Sequence, residues 1–263
     1  MAEAIVLENQ KASDTKVKKS GPTFTDRKPH TDEIKYDRHG RQLNTRKRDL
    51  KRSNMREVYA RKSKTYKIAK RAFDVVLSSA AIVCLSPVFL GTAIAIKMED
   101  GGPVFFTQPR AGKDLKPFKM IKFRSMYPDA DKRLAELLKD NEQTGHAFKI
   151  KNDPRITRVG HFIRKTSIDE LPQLFNIVKG DMSIVGPRPI LTWQMEECDA
   201  YDRQRLIVQP GLTCFWQVGG RADIEWEEWV ELDLDYIEKM SLWTDFKMIL
   251  ETIPAIFESD GAY

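Results

Sequence analysis

Cysteine is scarce in this 263-residue chain. The three present, Cys84, Cys198 and Cys214, are an odd number with no CxxC spacing and no neighbouring histidine pair. A disulfide framework and a zinc centre of the usual spacing are thereby excluded, and a reducing compartment is the simpler setting. Histidine is as sparse: of four, His146 and His161 stand isolated, without sequence partners for a Ser-His-Asp arrangement or a metal site. A secretory signal is missing as well, because Ile5, Val6 and Leu7 run straight into Glu8, Asn9 and Gln10. Internal repeats are absent. From Met1 to Glu57 only eight Leu, Ile, Val or Phe residues occur, too few to offset the entropy of ordering that stretch. It reads as a disordered or loosely attached arm.

What is present is unevenly spread. Hydrophobic residues make up 41% and charged residues 31%, enough for one sizeable domain with an appendage. The net charge of +6 hides a split. Residues 1–71 carry 21 basic and 9 acidic side chains, net +12, while residues 72–263 carry 23 and 29, net −6. The basic clusters RKRDLKR (46–52) and RKSKTYKIAKR (61–71) suit either nucleic acid or an anionic membrane surface. The next segment decides for the membrane, and no nucleic-acid partner is expected. Val75 to Ile96 is 22 consecutive residues without a charge, about 33 Å as a straight helix, which matches a hydrocarbon core. Its basic N-terminal flank places the arm in the cytoplasm. Ser86-Pro87 stands at the middle, where proline removes a backbone hydrogen bond and kinks the helix while serine can satisfy a freed carbonyl. The segment either re-enters on the side it came from or crosses. Crossing would put everything after Lys97 outside, so the re-entrant reading is preferred.

The rest reads as α+β, mostly helical. PVFFTQPR (103–110) and KPFKMIKFRSM (116–126) predict a β-hairpin with a five-residue loop at 111–115. Helices are expected at 129–139, 156–165 and 171–179, the last stopping at Gly180. An acidic-aromatic run occupies 224–237. Residues 241–257 predict a surface amphipathic helix with Leu242, Phe246, Ile249, Leu250 and Ile253 at helical spacing, either on the membrane interface or packed on the core. The expected organisation is a basic arm at 1–60, a juxtamembrane segment with the kinked re-entrant helix at 61–98, and a cytoplasmic catalytic domain at 99–263.

Residues 152–189 hold the densest chemistry. Arg155, Arg158, Arg164 and Arg188 offer planar forks that suit paired phosphate oxygens, and Pro187 and Pro189 restrict the backbone around Arg188. Asp169 and Glu170 admit two readings. Ser167 and Glu170 match a capping box, in which the glutamate satisfies a helix start. Alternatively Asp169, kept ionised by the helix dipole and nearby arginines, attacks phosphorus to give an acyl phosphate, and Glu170 holds Mg²⁺ against a substrate pyrophosphate. Lys122 and Arg124, alternate residues of one strand, would share a face. Arg221 after Gly219-Gly220 is a weaker phosphate candidate.

The chain from KRAFDVVLS to SLWTDFKMIL, about residues 70–253, resembles the monotopic phosphoglycosyl transferases, also called polyprenyl-phosphate hexose-1-phosphate transferases. The likeness is carried by LSP (85–87), GPVFFTQPRAG (102–112), KPFKMIKFRSM, the 152–189 block, QPGLTCFWQVGGR (209–221) and SLW (241–243). It implies transfer of a sugar 1-phosphate from a UDP-sugar to undecaprenyl phosphate at the cytoplasmic leaflet of the bacterial inner membrane. Exopolysaccharide, capsule or glycan assembly starts with that step. By the same likeness Asp169 is the nucleophile, Glu170 its Mg²⁺-binding neighbour, Arg164 and Arg188 phosphate ligands, and Lys122 and Arg124 lie near substrate. Ser86-Pro87 becomes the turning point of a re-entrant helix. Larger members carry four further transmembrane helices before this core, where this sequence has its basic arm, expected to adhere to anionic lipids. The competing class is a non-enzymatic membrane adaptor whose arm binds nucleic acid or a partner. Neither the hexose nor the oligomeric state is legible.

Overall fold

The computed structural model describes residues 35–36, 42–43, 54–130, 153–219 and 226–257. The chain divides into two units, Met1–Lys51 and Arg52–Tyr263. In the first, β1 (Lys35–Tyr36) pairs antiparallel with β2 (Gln42–Leu43). The other residues of the expected arm, up to residue 53, lie outside the described residues.

The second unit begins earlier than composition suggests. Residues assigned to the arm form helix α1 (Met55–Arg61), capped by Asn54, whose side chain accepts from Glu57 N–H. Met55 is 0% exposed in the main core beside Val230, Leu234 and Ile237. A sparsely apolar segment is held here by its helix cap, by Met55 with Val58 and Tyr59 packed against the same core, and by Gln204, which accepts from Met55 N–H at 2.8 Å, none of which counting can detect.

Helix α2 (Lys64–Cys84) starts at Ser63, whose hydroxyl accepts from Tyr66 N–H. Helix α3 (Ser86–Asp100) continues from it after a bend of 60°. The break falls where Ser86-Pro87 predicts it, and Ser86 Oγ donates to the Val83 carbonyl at 2.8 Å. No single described helix is long and apolar enough to cross a membrane, whereas this bent pair taken together has the length and composition of a broken span or a re-entrant loop. Both of its ends are fastened to the same unit. Near the start of α2, Arg71 donates to the carbonyls of Ile177 (2.5 Å) and Val178 (2.7 Å), Lys70 to Asp245 (2.8 Å), and Asp74 accepts from Ser183 Oγ (2.8 Å). At the end of α3, Asp100 pairs with Arg124, and Glu99 accepts from the backbone N–H of Arg158 at 2.7 Å.

The hairpin forms from β3 (Phe105–Ala111) and β4 (Pro117–Phe123), with Ala111 opposite Pro117 and Phe106 opposite Lys122. Its loop is 112–116, one residue later than expected, because Ala111 N–H donates to the Ile190 carbonyl at 2.9 Å and stays in the strand. Helix α4 (Arg158–Lys165) is capped by Thr157, and α5 (Gln173–Lys179) ends at Gly180 in the left-handed region, φ 101. Both begin two residues later than the periodicity implies. The helix expected at 129–139 lies, after Ala130, outside the described residues.

No periodic pattern signals the parallel sheet in which β5 (Ser183–Val185) pairs with β6 (Gly211–Thr213). Between them lies α6 (Thr192–Glu197), and α7 (Phe215–Gly219), α8 (Trp226–Lys239) and α9 (Leu242–Phe257) follow. Helix α8 turns Val230, Leu234 and Ile237 inward, with Tyr236 donating to Asp245 at 2.8 Å. Helix α9 packs through Asp245, Met248 and Ile249, while Leu242, Trp243, Phe246, Leu250 and Ile253 stay exposed. Its expected apolar stripe therefore faces mainly outward. The architecture is mostly helical with small two-stranded sheets.

Candidate active site

Asp169 and Glu170 sit on a short 3₁₀ turn, Ile168–Glu170, between α4 and α5. The capping-box reading fails here. Ser167 adopts a left-handed conformation, φ 55, and its side chain makes no cap hydrogen bond. Glu170 instead accepts through Oε1 from Lys122 Nζ and Arg188 Nη2, each at 2.8 Å. A local motif is overridden by two cations brought from β4 and from the segment after β5.

Asp169 is 8% exposed. Its Oδ2 lies 3.8 Å from Lys122 Nζ, and Arg164 and Arg188 also act on its charge. Burial nevertheless wins and holds its pKa above the ordinary aspartate value, with the adjacent Glu170 charge pushing the same way. Glu170 ends on the other side. Burial pushes it up, but Arg188 and Lys122 outweigh burial and hold it well below the usual carboxylate range. Arg164, in the last turn of α4, donates from Nε to Ser125 Oγ at 2.8 Å. Its own pKa is lowered by burial, against the attraction of Asp169 and Asp153. Arg188 lies over the Trp216 ring, 5.7 Å to the centroid.

The other expected cations separate from this group. Arg124 is buried elsewhere, bonded to Asp100 (2.5 and 2.6 Å) and to the carbonyls of Pro103 (2.6 Å) and Met126 (2.8 Å). It directly follows Phe123, the last residue of β4, its N–H donates to the Val104 carbonyl at 2.9 Å, and its guanidinium is taken by Asp100. Its role is to tie the hairpin to the end of α3. Arg155 forms a buried ion pair with Asp153, Nη2 to Oδ2 at 2.6 Å, near Arg164. Arg158 is exposed in the first turn of α4 and is engaged with Glu99 through its backbone. Arg221 lies outside the described residues. Sequence reasoning missed Ser125, which orients Arg164, and Arg110, whose charge acts on Arg188 and on Glu170. Strand alternation in QPR could have found Arg110, which shares a hairpin face with Lys122.

Among the described residues no group of three or more His, Cys, Asp or Glu side chains could hold a metal. The donor set fits a shared site instead. Glu170 Oε1 takes both cations and Oε2 takes neither, and Mg²⁺ commonly takes one or two carboxylates together with substrate phosphate oxygens.

Residues 65–259 match the family described as "Bacterial sugar transferase". The chain is similar to the exopolysaccharide production protein ExoY of Sinorhizobium fredii, 42% identical over 200 residues, which cover 74% of this chain and 88% of that protein. It is 44% identical over 200 residues to the undecaprenyl-phosphate galactose phosphotransferase of Salmonella typhimurium, covering 74% of this chain and 41% of that protein. A relative from Aeromonas hydrophila, named UDP-N-acetylgalactosamine-undecaprenyl-phosphate N-acetylgalactosaminephosphotransferase, is 41% identical over 209 residues, covering 76% of this chain and 46% of that one. The chain thus matches nearly the full length of the compact relative and less than half of the longer two. The non-enzymatic adaptor reading falls with these matches, and the chain, a transferase by kinship, belongs to the bacterial sugar transferase family.

Proposed function

We propose that this enzyme transfers a sugar 1-phosphate from a UDP-sugar to undecaprenyl phosphate, releasing UMP, at the start of exopolysaccharide, capsule or glycan assembly. The relatives named for undecaprenyl-phosphate sugar phosphotransfer support the reaction class. The observation that carries the mechanism is the buried Asp169 carboxylate, faced by Lys122 and held in the field of Arg164 and Arg188.

In the first step an Asp169 carboxylate oxygen attacks the sugar-bearing phosphorus. The bond from that phosphorus to the bridging oxygen breaks, and UMP leaves with the electron pair. In the second, an oxygen of the lipid phosphate attacks the same phosphorus and Asp169 departs as a carboxylate. Burial strips water from Asp169 and makes it the more basic of the pair, which suits a nucleophile. Lys122, with three donors, and Arg188, with five, can hold Glu170 and still offer N–H groups to phosphate oxygens. Arg164 brings a further fork, aimed by Ser125. Glu170, ionised at any physiological pH, positions these cations through Oε1 and leaves Oε2 for Mg²⁺. When bound, the metal neutralises charge on the diphosphate.

The same reading places the protein at the cytoplasmic face of the bacterial inner membrane as a monotopic enzyme. Support comes from the bent α2–α3 pair, tied at both ends to one polar unit, and from the outward apolar face of α9.

The test is a single-turnover experiment with a UDP-sugar radiolabelled in the sugar, without lipid acceptor. The unaltered protein is expected to retain label through denaturation and to release UMP in a burst. Asp169→Asn should do neither and should lose about 10³-fold or more in turnover. Near-native turnover by that variant would end the covalent proposal.

A further inference from the structure

We infer that Arg110 is a further substrate-binding residue, holding the diphosphate of the nucleotide donor; the inference rests on the transferase reading above. The hairpin register sets the position. Phe106, Gln108 and Arg110 alternate along β3 opposite Lys122, Met120 and Phe118 of β4, so Arg110 stands on the same face as Lys122. The end of β3 also runs beside the segment that carries Arg188. Arg110 bridges Leu191, and the Ala111 N–H donates to the Ile190 carbonyl at 2.9 Å.

Arg110 is poorly matched there. Its hydrogen-bond partner is the neutral Gln108 Oε1, 2.8 Å from Nη2, and its Nε is buried with no partner. Among the described residues no carboxylate pairs with it. Leaving a guanidinium donor buried and unsatisfied is unfavourable unless a ligand completes it. Burial, helped by the Arg188 charge, lowers its pKa to about 10, so it remains a cation near neutral pH and an incoming anion would relieve it.

The charge count points to a diphosphate. Lys122, Arg110, Arg164 and Arg188 face Asp169 and Glu170, and Arg155 with Asp153, the further pair near Arg164, cancel each other, which leaves an excess of two positive charges, the number a nucleotide diphosphate diester neutralises. A lipid phosphate monoester has the same chemistry at nearly the same charge, about −1.5 to −2 near neutral pH, and separate arms of the experiment distinguish the two. Gln108 supplies a second handle. Gln108→Glu would give Arg110 a built-in carboxylate, which satisfies the fold but competes with a phosphate.

The experiment is equilibrium binding of UDP to the full chain in nanodiscs, with KM measured for each substrate. Arg110→Gln is expected to weaken UDP binding and raise KM for the UDP-sugar about tenfold to a hundredfold. KM for undecaprenyl phosphate should hold, and Arg110→Lys should recover part of the loss. Gln108→Glu should also weaken UDP binding, with Tm unchanged or higher. If Arg110→Gln does not fold, Gln108→Glu and Arg110→Lys decide. UDP binding unchanged in the folded variants, or a rise in KM confined to the lipid phosphate, would overturn this inference alone. No UDP binding by the unaltered chain would remove it together with the transferase reading.

Discussion

Asp169 and Glu170 are neighbours in sequence with opposite acid–base characters, and the cause is where the cations fall. Glu170 receives both Lys122 and Arg188 at hydrogen-bond distance, whereas Asp169 has Lys122 only at 3.8 Å, so burial prevails there, helped by its neighbour's negative charge. The proton on Asp169 therefore leaves at a higher pH than that of a free aspartate. If the carboxylate is the nucleophile, kcat/KM falls as pH is lowered through a midpoint above 3.8, the ordinary value. Glu170→Gln leaves the burial of Asp169 in place but removes the charge that adds to it and frees two cations to lower the pKa. On the proposed reading, in which Glu170 would hold Mg²⁺, the variant is expected to be slower, yet to show its acid limb at lower pH than the unaltered enzyme. A pH–rate profile of both proteins checks this, and a limb that stays put or moves upward would mean the two carboxylates are not coupled as described. None of this polarity is legible in Asp-Glu as a dipeptide. The sequence pattern Ser167-x-x-Glu170 favours a cap, and only the distant Lys122 and Arg188 reverse it.

At the scale of elements, α4 delivers Arg164, and its seat is set by a glycine. A Cβ on Gly160 would lie 2.0 Å from the Ser125 carbonyl oxygen, so the helix rests directly on the residue whose hydroxyl orients Arg164. Gly160 and Arg164 are four apart and share a helix face. Gly160→Ala must push that face outward, and overpacking of this kind costs about 1–3 kcal/mol. The expected outcome is a lower Tm and a loss of turnover larger than the drop in stability explains, measured below the melting transition. Retained turnover with a lowered Tm would mean that Arg164 does not need this seat. The existence of α4, α5, α9 and the hairpin is readable from period and turn chemistry. Spacing along one strand does not reveal that Arg124 is engaged by Asp100 at the end of α3, and β5 with β6 escapes notice because strands of three residues carry almost no periodic signal.

Across the whole molecule, Ser86-Pro87 announces a bend but cannot say where the two arms go. That depends on residues far apart in sequence. Arg71 and Asp74 secure the start of α2 to α5 and β5, while Asp100 and Glu99 secure the end of α3 to Arg124 and the first turn of α4. The basic cluster at 61–71 is therefore partly structural. Lys62 donates to the carbonyls of Glu238 and Met240, and Lys70 and Arg71 are also engaged, so a lipid surface would meet only its remaining cations. If the uncharged stretch is a wedge in one leaflet, both of its ends must lie on one side. Lys64 and Met98 are exposed positions near those ends. Cysteine placed at either, with the exposed Cys84 replaced by serine, should react with a membrane-impermeant maleimide in inverted inner-membrane vesicles and stay unlabelled in right-side-out vesicles. Reaction of one site in each vesicle type would mean that the pair crosses. The polar unit could then not hold both ends, because unfastening Arg124 from Asp100 alone would leave a buried charge unpaired at a cost of about 3–5 kcal/mol.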